Sequence, residues 1–467
     1  KMIARFLAGS GTTLALILAS PALAQTTNSP GAGNSDKAEV ELLRNELANL
    51  RAQIEALQTR LDTQQATVAK ADAISSEAPN KAEAVSKASG GTTVAWKWAP
   101  EFSSKDGWTF KPRGRLQYDF GYVDAPDAFT NDGLGFSNEL RRVRLGVEGN
   151  IPGGFGYRFE LEFAGGDAQL WDGYITYKTG GLTLTAGQHN NFQSLDELTS
   201  SNDTVLVERA AFTDAFGFER RLGFSGQYNA GPVLLQAGVF TDNVADLDDD
   251  GNNSFGLDGR VVFAPKLGAA QLHFAGSAHW RDLGDTVSTV RYRQRPHIHS
   301  TDIRFVDTGT LGSAESETSY GFEALAIAGR FHVAGEAHWL DLSRATTPNP
   351  RFFGGYAEVG YFLTDSSFGY RSGVLRAPKL ASSIGQGGTG AIALSLRYDF
   401  LDLNDRGAGV VGGTQNGIIA GLSWWPVENL RLLLNYAHLE YDDAAIVAAG
   451  DRSYSVDTIG WRVQVSF

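Results

Sequence analysis

The chain has 467 residues, 55 of them glycine and none cysteine, with 53 acidic against 40 basic side chains and a formal charge of −13. Without cysteine there is no disulfide framework, thiolate metal centre or thiol nucleophile, and so acidic a total argues against nucleic acid, which asks for a basic footprint. The glycine and an aromatic content of 11% suit many strands joined by tight turns.

The first 24 residues have the order of an export signal: Lys1 and Arg5, an apolar run from Leu14 to Leu18, then Ala22-Leu23-Ala24 as a small-residue cleavage site. A polar linker occupies 25–35. Over 36–70, Val40, Leu43, Leu47, Leu50, Ile54, Leu57, Leu61 and Val68 follow heptad spacing, and Glu39 with Arg44 and Glu46 with Arg51 take flanking positions that suit a parallel oligomer. This predicts a coiled coil; the alternative is one amphipathic helix packed on its own barrel. Residues 71–107 read as a flexible tether. No later run approaches the roughly 18 apolar residues of a spanning helix, so the exported chain either floats free or spans as strands.

From Trp108 onward the period changes to two, the signature of strands with unlike faces. Sixteen segments are predicted: 108–123, 136–151, 155–165, 168–179, 181–189, 221–230, 232–242, 254–264, 269–282, 318–328, 330–342, 352–364, 389–402, 415–425, 429–441 and 453–467. In the last, Ile459, Trp461, Val463, Val465 and Phe467 share one face, and Arg462, Gln464 and Ser466 the other. Tight turns follow even-numbered segments, while the long stretches 190–220, 283–317 and 442–452 follow odd ones, as in membrane barrels. The exception is 365–388, long where a short turn is due, and expected to fold back into the pore mouth. The predicted fold is all-β: a sixteen-stranded antiparallel transmembrane β-barrel over 108–467, preceded by an N-terminal coiled-coil helix.

Lys111, Arg113, Arg115, Gln117 and Asp119 share one face of the first strand. An arginine facing mid-bilayer lipid costs about 2–4 kcal/mol, so this face lines water. The same test puts Arg142, Arg144, Arg158 and Arg221 inside, and leaves Arg141 reaching the interface from a strand end. A succession of arginines can draw an anion through a narrow pore, and guanidinium forks match phosphate oxygens. Arginines facing acids can equally set a transverse field in a general diffusion pore and hold its loops.

Asp246 to Asn252 has the first half of a calcium loop, but Leu257 stands where a bidentate glutamate is needed. His297-Ile298-His299 offers two imidazoles without an evident third ligand, and reads as an ordinary exposed loop. No G-x-S-x-G, H-E-x-x-H or Walker pattern stands out, so the chain reads as cofactor-free and not an enzyme.

Several stretches resemble the phosphate-selective porin O and P family: Phe110 to Gln117, Leu140 to Gly149, Phe159 to Phe163, Trp171 to Ile175, and a third-loop series from Leu195 to Ser201 through Val207 to Ala210 and Arg220 to Gly223. The resemblance implies a trimeric outer-membrane barrel whose third loop folds inward as the constriction, with arginines guiding phosphate or related anions. The anion pathway would comprise Lys111, Arg113, Arg115, Arg142, Arg144, Arg158, Arg209, Arg220 and Arg221. Arg113, Arg115, Arg142, Arg144 and Arg158 would form its upper part, with Arg209, Arg220 and Arg221 near the constriction. One departure is that no lysine lies between Lys178 and Lys266, so the third loop sets few cations against Asp196, Glu197, Asp203, Glu208, Asp214 and Glu219. The expected function is a passive porin for small anions, with general diffusion, or a structural anchor whose coiled coil reaches the cell wall, as alternatives. Its expected place is the outer membrane of a Gram-negative bacterium, with the coiled coil in the periplasm and outer-membrane lipid and two further copies as partners.

Overall fold

The computed structural model describes residues 91–467 apart from 130–132, 249 and 286, together with the isolated residue Gln58. Among the described residues sixteen antiparallel strands form one closed sheet. They are β1 (Thr109–Asp124), β2 (Gly135–Ile151), β3 (Phe155–Glu162), β4 (Gln169–Thr179), β5 (Leu182–Asn190), β6 (Arg220–Ala230), β7 (Val233–Phe240) and β8 (Phe255–Phe263). The second half comprises β9 (Ala270–Asp282), β10 (Ala314–Ala328), β11 (Phe331–Arg344), β12 (Arg351–Phe362), β13 (Ala391–Asp405), β14 (Val410–Val427), β15 (Leu430–Asp442) and β16 (Tyr454–Ser466). Each predicted segment has its strand. Closure comes from β16 against β1, with Arg462 opposite Asp119 and Gln464 opposite Gln117, and from reciprocal backbone bonds of 3.0 and 3.1 Å between Phe467 and Gly114.

The sheet is inside-out relative to a soluble protein. Phe159, Ile175, Val261, Phe322, Leu396 and Leu434 are exposed on the outer face, whereas Gln117, Arg260, Arg397, Asp399, Arg431 and Arg462 are buried within. Lipid takes the first set without cost; the second set needs the water and partners that only the lumen supplies.

Three insertions enter that lumen. Loop 191–219, between β5 and β6, carries the short helices α1 (Leu195–Leu198) and α2 (Ala211–Ala215). Loop 283–313 is pinned by two short ladders, Thr289–Val290 with Leu311–Gly312 and Arg293–Gln294 with Val306–Asp307. The long connection after β12 forms a hairpin, Ser367–Arg371 with Val374–Lys379, and Gly373 at its tip accepts a 3.0 Å bond from Arg260. It therefore folds inward, as its unusual length suggested. The apolar core joins loop residues, among them Leu195, Leu206, Phe212, Phe218, Ile298 and Phe305, to inward wall residues such as Leu401, Ile419 and Leu439.

The N-terminal expectations need correction. Among the described residues no helix reaches seven residues, the longest being Ala211–Ala215 with five. The coiled coil placed over 36–70 lies outside the described residues, as does the signal over 1–24. A seam that narrow needs a helix to lie against, and the described residues supply none. The fold of the described residues is thus the barrel without a coiled coil, and the periplasmic coiled coil and its cell-wall contact are withdrawn with it. The tether placed over 71–107 is also revised, because Thr93–Lys97 and Ala99–Ser103 form an antiparallel hairpin that pairs onto the start of β1. The Ala/Ser/Lys/Glu-rich composition ends before Thr93, and alternation resumes there.

Candidate anion pathway

Loop 191–219 lies against one side of the barrel, held by a buried polar network. The Glu336 carboxylate accepts the Leu195 and Asp196 amides at 2.9 and 2.7 Å, capping α1, and Asp399 accepts the Ala211 amide at 3.2 Å, capping α2. Asp196 binds Arg397 at 3.0 Å and the Ala210 amide at 2.8 Å. Arg462 donates to Glu208 at 2.7 Å, and Arg431 to the Val205 carbonyl at 3.1 Å. Glycines in the wall make room for the loop's apolar side chains. A Cβ on Gly354 would stand 2.5 Å from that of Phe212, and one on Gly421 would stand 2.4 Å from Leu206.

This seating partly answers the charge problem posed by the loop's acids. Asp196 faces Arg397 of β13, on the side away from the open passage, whereas Glu208, although paired with Arg462 of β16, still lines a vestibule beyond it together with Asp214. That passage runs along β1 to β8 as a chamber of about 700 Å³. Its lining contains Arg113, Arg115, Arg142, Arg144, Arg158, Lys178, Arg209, Arg220, Arg260, Arg371 and Arg376 against the carboxylates Glu148, Asp172 and Glu197. Behind them, Glu160 lies 2.9 Å from Arg158, and Glu162 lies 2.5 Å from Arg144. Asp172 bridges Arg158 at 3.0 Å and Arg220 at 2.6 Å, and Glu148 holds Arg113 at 2.7 Å. Arg115 and Arg142 differ: the first donates to the Ser201 hydroxyl at 2.6 Å and the second to Gln117 at 2.8 Å. Neither has an ion-pair partner among the described residues, and the same holds for Arg371 and Lys178 of this lining.

A smaller vestibule of about 180 Å³ lies beyond the chamber. Arg142, Trp171, Glu197 and Arg209 line both cavities and so form the neck between them. Trp171 is sandwiched there, with the guanidinium carbons of Arg144 and Arg220 at 3.5 and 4.4 Å from its ring centre. Its indole nitrogen is buried without a partner. Cation–π contacts of this kind are worth about 0.5–2 kcal/mol each, so Trp171→Ala should take a packing partner from both guanidiniums, which stay paired with Glu162 and Asp172, and widen the neck. Single-channel conductance is expected to rise, and Trp171→Phe to stay close to the parent. Equal conductance in the alanine variant would show that the neck lies elsewhere.

Of the nine pathway residues, Arg113, Arg115, Arg142, Arg144, Arg158, Arg209 and Arg220 are brought together around the chamber. Arg113 and Arg115 belong to the tight-turn half of β1, below the neck rather than in the upper part expected for them. Lys111 lies below the chamber and does not line it. Arg221 faces another cavity, of about 380 Å³, with Arg281, Arg291, Arg293 and Arg304. Burial and the neighbouring charge of Arg295 press Arg304 down to about 10. The alternating arginines at 291, 293 and 295 were a sequence signal that strand counting passed over.

Two bulges account for other differences. Between β1 and β2 the register skips Arg141, and between β3 and β4 it skips Trp171. An extra residue re-aims its side chain, so Arg141 points inward, 3.7 Å from Glu208, instead of reaching the interface. The histidine segment is not an exposed loop either. His297 is buried beside Gln415 at 3.3 Å, and His299 meets Glu139 at 2.8 Å. Burial, helped by the Arg397 charge, pushes His297 down to about 4, which leaves it neutral. Among the described residues no three candidate ligands come together for a metal ion. In the loop 241–254, Asp242 works against its desolvation through bonds from the Ser254 hydroxyl and amide and from Arg281, which hold it below the ordinary aspartate range.

The sequence profile of the phosphate-selective porin O and P family matches residues 110–467. The chain belongs to that family. An uncharacterised protein of Caulobacter vibrioides is 45% identical, over 98% of this chain and 96% of that protein. Among solved structures, the anion-selective porin of Comamonas acidovorans is 12% identical with a TM-score of 0.51, covering 77% of this chain and all of that one. The outer-membrane protein OmpT of Vibrio cholerae is 12% identical with a TM-score of 0.50, covering 78% and 99%. Both support the barrel fold alone. The porin is an outer-membrane β-barrel transport protein.

Proposed function

We propose that this porin is a passive pore for small solutes with a modest preference for anions. The observation that carries this reading is the chamber wall, where guanidiniums outnumber carboxylates but most are already paired. A paired guanidinium acts on a passing ion as part of a dipole, and only unpaired ones act as full charges, so the preference is set by few residues. A phosphate-type binding step is the second reading, favoured by the neck, where Arg142 and Arg209 line both cavities.

Zero-current potential across a salt gradient in planar bilayers tests both. A moderate anion-side potential is expected. A cation-side potential would end the first reading, and failure of added phosphate to reduce chloride current would end the second.

The neck also carries a pH dependence. Burial drives the Glu197 carboxyl above the ordinary glutamate range, against the pull of Arg209, Arg220 and Arg142. As pH falls through that raised value the negative charge is lost while the guanidiniums keep theirs, so anion preference should increase on acidification. Glu197→Gln should show the acid-like preference at neutral pH and lose the step, and a step that survives in this variant would assign it to another group.

A further inference from the structure

The hairpin ahead of the barrel has two unlike faces. Its register sets Val94 opposite Phe102 and Trp96 opposite Pro100, so these four side chains share one face, while Thr93, Ala95, Glu101 and Ser103 share the other. The first face is bare: Trp96 is 74% and Val94 58% exposed, with Phe102 exposed beside them. An apolar surface of this kind is costly in water.

Two attachments aim this face. Phe102 pairs with Phe110 of β1, their rings 6.1 Å apart, and Phe110 lies on the outward, lipid-facing side of that strand together with Leu116 and Tyr122. The Trp98 indole reaches Glu428, in the tight turn between β14 and β15, at 3.4 Å. The apolar face therefore continues the barrel's lipid-facing surface past the start of β1, at the end of the barrel where the tight turns lie. Trp96, Trp98 and Trp108, all exposed here, are of the type that settles where acyl chains meet headgroups, since the ring is apolar and the N–H is not.

We propose that this hairpin is a lipid-seated anchor, its Val94, Trp96, Pro100 and Phe102 face inserted at the headgroup boundary of the periplasmic leaflet. It would fix the depth and tilt of the strand at which the barrel closes. The occupant of the face is phospholipid, because the surface it extends is the one the barrel already presents to lipid.

The absence of cysteine allows single nitroxide labels in the full chain. Labels at Thr93→Cys, Val94→Cys, Ala95→Cys and Trp96→Cys, each reconstituted in phosphatidylcholine and phosphatidylglycerol vesicles, would be read for collision with oxygen, which concentrates in lipid, and with a water-soluble nickel chelate. The oxygen-to-nickel ratio is expected to alternate, several-fold higher at 94 and 96 than at 93 and 95. Nickel access that is equal at all four positions would overturn the proposal by placing the hairpin in water. Dipolar broadening between labels at position 94 would overturn it by showing a second copy on the face. Val94→Cys and Ala95→Cys leave the tryptophans intact, so the comparison survives if Trp96→Cys fails to fold.

Discussion

Exchange of Arg115 and Arg142 together for glutamine is expected to lower the anion preference markedly, moving the zero-current potential toward that of an unselective pore. These two guanidiniums line the chamber without an ion-pair partner, bound by Ser201 and Gln117 respectively. A full charge about 6 Å from a passing ion contributes about 1–3 kcal/mol at effective dielectric constants between those of water and a protein surface. Loss of two, about 2–6 kcal/mol together, should therefore lower the anion-to-cation permeability ratio by at least about tenfold. Glutamine keeps a donor for each hydroxyl or amide partner and strands no carboxylate, so the effect falls on ions rather than on folding. The matching control removes a pair, Arg144→Gln with Glu162→Gln, taking away one charge of each sign from a contact of 2.5 Å; its potential should stay near the parent value. A double variant at 115 and 142 that kept the parent potential would refute the assignment of selectivity to unpaired guanidiniums.

Asp196→Ala is expected to give the largest loss of stability among the residues of loop 191–219. Its carboxylate joins the loop to the wall through Arg397 at 3.0 Å and caps α2 through the Ala210 amide at 2.8 Å. Arg397 is only 2% exposed, and among the described residues would be left with Glu358 at 2.8 Å as its ion-pair partner. Removing one partner of a buried ion pair typically costs about 3–5 kcal/mol, and the lost cap adds about 1 kcal/mol. Because the barrel's backbone ladder is untouched, the damage should be local. The loop should leave its seat, giving noisy, enlarged single-channel currents and protease cleavage within 191–219 while the barrel stays folded. Quiet parental currents and an uncut loop would mean that Glu336, Asp399 and Arg462 hold it unaided.

The sixteen strands were legible because each alternates apolar and polar residues over a length matched to the bilayer, and lipid outside with water inside allows only one facing. The same parity identified Arg113, Arg115, Arg142, Arg144 and Arg158 as lumen residues. It failed at Arg141, because a bulge inserts one residue and reverses facing without leaving a mark in composition. It also could not say which arginines are spent on carboxylates. Glu148, Glu160, Glu162 and Asp172 fall on the same inward faces by the same alternation, yet their pairing depends on strand stagger.

Loop residues were the least legible. The acids of loop 191–219 looked like an obstacle to anions while their partners, Arg397 and Arg462, lay more than 180 residues away in the chain. By itself, then, the sequence determined the barrel, its strand order and the polarity of its two faces, since these follow from local periodicity and the solvent on each side. The tertiary structure alone decided which charges face the passage, where the neck lies and how the loops are seated. Those properties arise from contacts between strands far apart in the chain, from bulges that shift register, and from glycine notches whose purpose shows only when a loop side chain fills them.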